Sequence, residues 1–369
     1  MKRILAILCL LFLLETLARN AAAQSWNASG PLPRGNHSAV LDTSTNRMIV
    51  FGGFPFDTNS SQNLNDLWRL NGAGGLGLSW VQVKPKGTQP APRWGHSAAY
   101  DAGSNRMIVF GGAEGRSSPC ANDVWILTNA NGSGGAPAWT QLNPAGGPPA
   151  ARTTQGGVYD PITNTLIVYG GQDCGSTVFG DVWILSNANG IGGTATWTQL
   201  SPSGGGPGPR EAVGQSVVYD STTNKLILFA GQPPNGGSPF NDAWVLSNAN
   251  GSGGTPSWTQ LSPSGTPPAA RAGTSATYDP TTNRMIIFGG AASSFLGDAW
   301  ILFNANGLGG TPVWAHVVSS SADFPEPREG HTAVYNPSTN RMTIFGGQIA
   351  SAPNLGTNDV FVLSHANGN

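Results

Sequence analysis

The sequence predicts an all-β fold, a six-bladed β-propeller with four antiparallel strands in each blade, and three observations lead to this prediction. First, a segment such as DPTTNRMIIFGG recurs six times at spacings of 59, 59, 60, 59 and 57 residues, with its Asn at Asn46, Asn105, Asn164, Asn224, Asn283 and Asn340. Second, each copy contains four short runs rich in β-branched and aromatic residues, and no helical period follows residue 23. Third, the second run is apolar at successive positions, as from Met285 to Phe288, which indicates a strand covered on both faces by stacked sheets.

The four runs of the second repeat show how each strand is assigned. The first run, HSAAYD, precedes a turn that ends at Asn105, a residue type that tolerates the left-handed conformation of a tight hairpin. The second run, RMIVF, ends at Gly111-Gly112, where glycine lets the chain turn sharply. The third run, NDVWIL, and the fourth, WTQL, are separated by NANGSGG. Because this segment is nearly unchanged between repeats, we interpret it as a structural link.

The two ends of the chain predict how the ring closes. A Trp in the third run is followed by a Trp in the fourth, as Trp125 is followed by Trp139. The last third run carries Phe361 and reaches Asn369 before a fourth run could begin, whereas Ser25-Trp26 matches the start of a fourth run. We therefore expect the N-terminal strand to complete the sixth blade, which would remove the open sheet edges that favour aggregation.

Residues 1–23 have the pattern of a secretory signal peptide. Lys2 and Arg3 precede an apolar run, and Ala21-Ala22-Ala23 offers a cleavage site. The mature domain is then 24–369, for which we expect a secreted, periplasmic or extracellular location. No later apolar run reaches the roughly 18 residues of a membrane helix, so we expect no membrane contact after cleavage, and a monomer.

The charge balance argues against a nucleic-acid partner. Cleavage after residue 23 leaves 15 basic and 18 acidic residues, so the net charge of −3 is weak and of the wrong sign. No H-E-x-x-H, G-x-S-x-G or P-loop motif occurs. We therefore assign no catalytic residue, no metal and no cofactor.

Two cysteines, Cys120 and Cys174, remain after cleavage. Each follows the Gly-Gly of its repeat, and the two repeats are consecutive. In an oxidising compartment the preferred interpretation is a disulfide, with two buried thiols or a metal or catalytic role as alternatives.

Several motifs resemble kelch repeats over essentially the whole mature chain. They are the double Gly after an apolar strand, the Trp of the third run, and the P-R-x-x-H-S entries at Pro33 to Ser38 and Pro92 to Ser97. The resemblance, which includes the central domain of galactose oxidase and secreted kelch-repeat proteins, implies a propeller. It leaves the activity open, because kelch propellers include protein-binding modules, sugar-acting enzymes and oxidases. It implies no copper site, because five of the six tyrosines share one strand position.

The loops after Gly-Gly differ in length and content between repeats, which predicts the ligand-binding face. The same face carries an arginine at each blade entry, and the candidate ligand-binding arginines are Arg34, Arg93, Arg152, Arg210, Arg271 and Arg328. Kelch domains that bind acidic peptides use arginines at similar positions. However, each blade also has an Asp before its third-run aromatic residue, so we favour six structural Arg–Asp pairs. We expect Arg210 to be the exception, because its distance to the next first-run Asp is two residues longer.

The remaining candidate ligand-binding residues belong to the sixth, first and second blades. His331, His37 and His96 lie three residues after the entry arginine and could bind a ligand or hydrogen-bond within their own blades. Trp94, Phe54 and Phe56 could form an aromatic platform for a sugar or a peptide.

The sequence leads to a ranked set of functions. The first hypothesis is a secreted binding scaffold for a glycan or protein ligand. The alternative is a carbohydrate-acting enzyme, similar to sugar epimerases, mutarotases or oxidases, with its site at the mouth of the central channel. A third possibility is a purely structural extracellular protein.

Overall fold

The computed structural model describes residues 30–55, 63–115, 119–212, 214, 216–318, 324–350 and 352–369, and it confirms the predicted six-bladed all-β propeller. The only helix within these ranges is a single 3₁₀ turn at Pro234–Gly236. None of their helices is long and apolar enough to cross a membrane. The signal peptide predicted for residues 1–23 lies outside the described residues.

Each blade is an antiparallel sheet whose strands follow one another in chain order. Blades one to three comprise Ser38–Asp42, Arg47–Pro55, Leu64–Asn71 and Ser79–Val83, then Ser97–Asp101, Arg106–Ala113, Cys120–Thr128 and Ala138–Leu142, then Gly156–Asp160, Thr165–Tyr169, Val182–Ser186 and Thr196–Leu200. Blades four to six comprise Val217–Asp220, Lys225–Phe229, Ala243–Ser247 and Ser257–Gln260, then Ser275–Asp279, Arg284–Phe288, Ala299–Phe303 and Val313–His316, then Thr332–Asn336, Arg341–Phe345 and Val360–Ser364. The strand that we expected at Ser25-Trp26 to complete blade six lies outside the described residues.

Short pairings extend all six blades beyond their main strands, and in blades three to five they are the single bridges Thr153–Gln172, Glu211–Gln232 and Ala272–Ala291. The strand Arg34–Gly35 pairs with the end of Arg47–Pro55, and Trp94 forms a single bridge with Ala113. In blade six, Arg328–Glu329 pairs with Gln348–Ile349, which in turn pairs with Ala352–Gly356. These pairings fix the blade entries against the segments that follow Gly-Gly.

The six first strands line the centre of the ring. Each contacts the first strands of the two neighbouring blades, and Ser38–Asp42 of blade one contacts Thr332–Asn336 of blade six. The ring is therefore closed around a central channel. This arrangement covers both faces of every second strand, which explains why its residues are apolar without alternation.

The hydrophobic core lies between neighbouring blades. A Trp of each described fourth strand packs against the last aromatic residue of the preceding blade's second strand, as Trp139 does on Phe51 with ring centroids 5.0 Å apart. The other pairs are Trp197–Phe110, Trp258–Tyr169, Trp314–Phe229 and Trp80–Phe345, at 5.0, 5.4, 4.9 and 4.9 Å. Aromatic packing of this kind therefore recurs at five of the six blade boundaries.

The propeller has two different faces. The loop face carries the segments after Gly-Gly and the blade entries, and the link face carries the first turns and the NANGxGG links. On the link face, Asn131 Nδ2 of blade two donates to Asp42 Oδ2 of blade one at 2.6 Å. The equivalent pairs are Asn189–Asp101, Asn250–Asp160, Asn306–Asp220 and Asn367–Asp279, at 2.7, 2.7, 2.8 and 2.8 Å. These bonds explain why the links are nearly constant in sequence.

Candidate ligand-binding face

Every entry arginine is bound to an aspartate of its own blade. The guanidinium of Arg93 donates two parallel hydrogen bonds to Asp123, at 2.6 and 3.0 Å, and the arginine side chain is fully buried. The equivalent pairs are Arg34–Asp66, Arg152–Asp181, Arg210–Asp242, Arg271–Asp298 and Arg328–Asp359, with Nη1–Oδ1 distances between 2.5 and 2.7 Å. Bidentate geometry of this kind gives both strength and direction.

Two further donors of each arginine bind backbone carbonyls of the protein. Arg93 Nε donates to Ala91 O at 3.1 Å, and its Nη1 donates to Gly111 O at 2.8 Å. The other five arginines bind an upstream carbonyl and the first residue of the Gly-Gly step in the same way. Each guanidinium thus connects the blade entry, the second strand and the third strand. Their role as ligand-binding residues stays a prediction, because most of their donors already bind the protein.

These contacts lower the pKa of four of the aspartates, Asp123, Asp181, Asp242 and Asp298. Burial on its own would raise the pKa of Asp123, but hydrogen bonds and charge from Arg93 and a bond from the Trp125 indole outweigh it and lower that pKa. Trp125 Nε1 donates to Asp123 Oδ2 at 2.6 Å. Four other blades repeat this bond with Trp68, Trp183, Trp244 and Trp300. The third-strand Trp is therefore part of the Arg–Asp lock.

The mouth of the central channel is closed by a ring of backbone hydrogen bonds. The residue two positions after each arginine has a left-handed φ between 50° and 64° and points its amide at the neighbouring blade; these residues are Asn36, Gly95, Thr154, Ala212, Gly273 and Gly330. Five of these amides donate to the carbonyl of the equivalent residue next to them, at 2.7 to 3.3 Å. The sixth, of Ala212, donates to Thr154 Oγ1 at 3.3 Å. The ring joins all six blades.

The cavity enclosed at this mouth is small. Its volume is about 50 Å³, and it is lined by the same ring together with His96 and Gly214. That volume accommodates a few water molecules and is well below the ~300 Å³ of the smallest pockets that usually hold organic ligands. A sugar ring does not fit into it.

The three histidines lie beneath this ring and join neighbouring blades. The ring nitrogen Nε2 of His37, His96 and His331 lies 2.8 Å from the hydroxyl of Thr332, Ser38 and Ser275, each in the preceding blade. All three are buried, and burial lowers the pKa of His96 and of His331 to about 3, with a further contribution from the adjacent arginine. Burial also lowers the pKa of His37 well below its ordinary value. The three imidazoles are neutral at physiological pH.

Two of the three aromatic candidates, Trp94 and Phe54, lie on the inner rim of the loop face. Trp94 is partly exposed, and its backbone pairs with Ala113. Phe54, also partly exposed, pairs with Gly35, which holds the position of Trp94 in the neighbouring blade. Phe56 lies outside the described residues, so the three-residue platform stays a prediction.

Two glutamates on this rim were not among the candidate residues predicted from the sequence. Glu211 and Glu329 occupy the position of Trp94 in blades four and six, directly after the entry arginine. Burial raises the pKa of both carboxyl groups. Neither belongs to a recognisable motif, and only alignment with Trp94 could have drawn attention to them. Within the described ranges, no group of three or more His, Cys, Asp or Glu side chains could hold a metal ion.

The variable loops include a covalent connection between two blades. Cys120, at the start of the third strand of blade two, is bonded through a disulfide to Cys174 in the loop of blade three. A groove of about 610 Å³ lies further round the same face, between blades five and six. Its lining includes Phe324 and Val318, which are 37 % and 84 % exposed. The loop face thus offers a braced rim and an open apolar groove.

Comparison with known proteins shows the family of the chain. The profile of the KLHDC2/KLHL20/DRC7 Kelch-repeats domain matches residues 6–134 and 135–306. A leucine-zipper-like transcriptional regulator 1 homolog of Drosophila melanogaster is 40 % identical over 101 residues, which are 26 % of this chain and 9 % of that protein. Human host cell factor 1 is 29 % identical over 235 residues, which are 58 % of this chain and 10 % of that protein.

A third relative and one solved structure complete the comparison. The Rab9 effector protein with kelch motifs of Xenopus laevis is 32 % identical over 160 residues, 43 % of this chain and 40 % of that protein. The chain thus spans between 9 and 40 % of the length of these relatives. The structure of YjhT superposes with a TM-score of 0.62 at 15 % identity, covering 91 % of this chain and 96 % of that one, which is a likeness of fold. The chain belongs to the kelch-repeat family.

Proposed function

We propose that this protein is an exported binding module whose ligand, a protein or a glycan, docks on the loop face. The observation that carries the proposal is the contrast within that face. Six Arg–Asp pairs and the backbone ring form a repeated scaffold, whereas the loops after Gly-Gly differ from blade to blade. Variable loops on a rigid scaffold are the usual location of binding residues.

The small channel mouth favours a ligand bound on the surface over one enclosed in the channel. The cavity of about 50 Å³ leaves no room for an organic ligand. Outside the mouth, Trp94 and the groove beside Phe324 supply partly exposed aromatic surface, which suits a protein side chain or a sugar ring. The name of the Rab9 effector protein describes a relative that acts through a protein, and this favours a protein ligand here.

Export is part of the same proposal. The pattern of residues 1–23 is that of a signal peptide, and a disulfide between Cys120 and Cys174 suits an oxidising compartment. The alternative function, an enzyme acting on carbohydrates at the channel mouth, needs arginine or histidine groups that are available to a substrate. The entry arginines instead donate most of their hydrogen bonds to the protein itself, as Arg93 does to Asp123 and to two backbone carbonyls.

Loop exchange within the chain tests the proposal. The mature protein is screened against a glycan array and a library of extracellular protein domains, and each binder is then measured with a variant. In one variant the blade-four segment 232–240 is replaced by the shorter, equivalent blade-five segment 291–296. In a second variant the blade-three segment 172–179 is replaced likewise, together with Cys120→Ser because the exchange removes Cys174. We expect at least one exchange to weaken binding about tenfold or more, because hot-spot residues carry most of the affinity of an interface.

A control on the other face makes the result specific. Ile191→Ser and Leu308→Ser remove exposed apolar side chains from the link face and should leave binding within twofold. Binding that responds to the link-face variants and ignores all loop exchanges contradicts the proposal. So does turnover of a neutral or acidic sugar by the mature protein.

A further inference from the structure

A pair of arginines on the link face lacks a carboxylate partner. Arg47 Nη1 and Arg69 Nη1 both donate to one backbone oxygen, Asn131 O, at 2.9 and 3.1 Å. Among the residues that the structure describes, all ion pairs involve the six entry arginines, and none involves Arg47 or Arg69. The carboxylate of Asp42, five residues before Arg47, is bound by Asn131, Ser44 and Thr45 instead.

Arg69 breaks the pattern of its own repeat. The equivalent third-strand positions in the other blades carry Ile126, Ile184, Val245, Ile301 and Val362. In blade two, Ile126 belongs to the apolar core between blades two and three. In blade one the residue at this position is Arg69, and its guanidinium lies between blades one and two. The link of blade two leaves room for it, because a Cβ at Gly132 would lie 1.7 Å from Arg69 Nη1.

The arrangement leaves positive charge and donors unused. Burial lowers the pKa of Arg69, and the positive charge of Arg47 lowers it further, although an arginine remains charged. Arg69 Nε is buried and has no hydrogen-bond partner within the described part of the chain. Among the described residues, the bonds of both guanidiniums to the protein use Nη1 alone. Two neighbouring cations repel each other, and a bound anion would offset this repulsion because it attracts both of them.

We propose that Arg47, Arg69 and Ser133 form an oxyanion-binding site on the link face, at the boundary of blades one and two. The ligand group is a sulfate, phosphate or carboxylate, because the planar guanidinium fork matches the spacing of two such oxygens. Ser133 is exposed, and its Oγ accepts a bond from Arg47 Nη1 at 3.2 Å, so its hydroxyl hydrogen can be donated to the same anion. The site lies on the face opposite the loop face and is independent of the proposed function.

Blade two supplies a matched control. Arg106 is the equivalent of Arg47, and its Nη1 donates to Asn189 O at 2.7 Å, but the third-strand residue beside it is Ile126. The equivalent location in blade two therefore has one arginine, Arg106, whereas blade one has both Arg47 and Arg69. Arg69→Ile gives blade one the residue that blades two, three and five carry, so we expect this variant to fold. Arg69→Lys keeps the charge and removes the fork.

The experiment is isothermal titration calorimetry of the mature protein with sodium sulfate, sodium phosphate and sodium acetate at constant ionic strength. We expect one saturable site for at least one of these anions, and their order of affinity identifies the oxyanion class. Arg69→Ile and Arg47→Gln should each weaken binding about tenfold or more, since a charged hydrogen bond contributes about 1.5–3 kcal/mol. The affinity of Arg69→Lys should lie between those of the unaltered protein and of Arg69→Ile. The affinity of Arg106→Gln should stay within twofold of that of the unaltered protein.

Three results would overturn the site. They are the lack of saturable binding for all three anions, equal binding by the unaltered protein and Arg69→Ile, and an equal loss in Arg106→Gln. Melting temperatures in chloride alone check that each variant is folded. A lower affinity of a variant that melts like the unaltered protein then reports on the site itself.

Discussion

Arg210 binds Asp242 through two parallel hydrogen bonds, with Nη1–Oδ1 at 2.5 Å and Nη2–Oδ2 at 2.7 Å. The sequence interpretation that made Arg210 the unpaired exception is therefore wrong. The two extra residues lie after Arg210, between the arginine and Val217–Asp220, so they lengthen the channel-side segment and leave the pair unchanged. The ion pair is therefore present in every blade, and the inserted residues do not change its geometry.

Removing one partner of this pair should destabilise the protein strongly. Asp242→Ala leaves the buried Arg210 guanidinium without its counter-charge, and the expected loss in free energy of unfolding is about 3–5 kcal/mol. Denaturant unfolding followed by tryptophan fluorescence measures it. Lys84→Ala, which alters an exposed charge, serves as the control and should stay within about 0.5 kcal/mol. An equally small effect in both variants would contradict the role of the pair.

The buried histidines make stability depend on pH. Because the pKa of His96 in the folded protein is about 3, below the ordinary value, the unfolded chain binds more protons between that value and about 6.5. The stability that each such histidine contributes is present above pH 6.5 and is lost as pH falls, by about 1.4 kcal/mol per pH unit. Unfolding free energy should therefore decrease from pH 7 to pH 5.

A substitution already present in the repeat isolates this effect. Blade three has Gln155 in the place of His96, with its Nε2 bonded to Phe110 O at 2.9 Å. His96→Gln should therefore fold, and its unfolding free energy should lose about one histidine's share of the slope between pH 5 and pH 6. Denaturation curves of both proteins across this range measure the difference. Parallel pH profiles would show that His96 does not titrate on unfolding.

The fold was predictable from the sequence because its evidence is repeated six times. The apolar second strand from Met285 to Phe288 and the regular spacing of the Asn turns required radial sheets. The pairing of Arg93 with Asp123 was predictable for the same reason, since both residue types recur together. Strand parity alone placed them at one end of the blade.

The parts that were missed depend on contacts between blades. The bond from Asn131 to Asp42 joins residues 89 positions apart, and the sequence gives no sign of which blade supplies the partner. Convergence of Arg47 and Arg69 on one carbonyl is equally a consequence of blade stacking. The size of the channel mouth follows from backbone conformation at positions such as Thr154, where no side-chain pattern marks it.

The disulfide should contribute measurably to stability. Cys120 and Cys174 are 54 residues apart, and closing a loop of this length is expected to stabilise a protein by about 3–4 kcal/mol. Cys120→Ser combined with Cys174→Ser should lower the free energy of unfolding by that amount under oxidising conditions. With reducing agent, the unaltered protein should match the double variant. A protein whose unfolding is the same with and without reductant would contradict the bond.

The boundary of blades six and one lacks the link-face pair found at the other five. Asn336 stands where Asp42 and its equivalents stand, and Gly74 takes the place of Asn131. In the absence of the pair, Asn46 Oδ1 is buried without a partner within the described ranges, although its equivalent Asn105 Oδ1 accepts the Asn131 amide at 3.0 Å. This boundary keeps two other bonds on the link face, from Arg341 Nη1 to Gly74 O and from Thr343 Oγ1 to Ala73 O, but it lacks the Asn–Asp bond.

Restoring the pair should stabilise the ring. Gly74→Asn with Asn336→Asp recreates the bond, and we expect a gain of about 1.5–3 kcal/mol, typical of a hydrogen bond to a charged group. A Cβ at Gly74 would lie 3.3 Å from Asn46 Nδ2, so a small shift of that side chain accommodates it. Thermal and denaturant unfolding of the double variant and of both single variants measure the gain.

The coupling between the two substitutions decides the result. Asn336→Asp alone places a carboxylate beside a glycine and should be neutral or destabilising, whereas Gly74→Asn alone supplies the amide without the charge. A double-mutant cycle should therefore show a favourable interaction of about 0.5 kcal/mol or more. Strict additivity would mean that the Asn–Asp bond does not form at this boundary. Because blade six must close against blade one for the ring to be complete, a favourable coupling would show that the new bond strengthens the boundary that closes the ring.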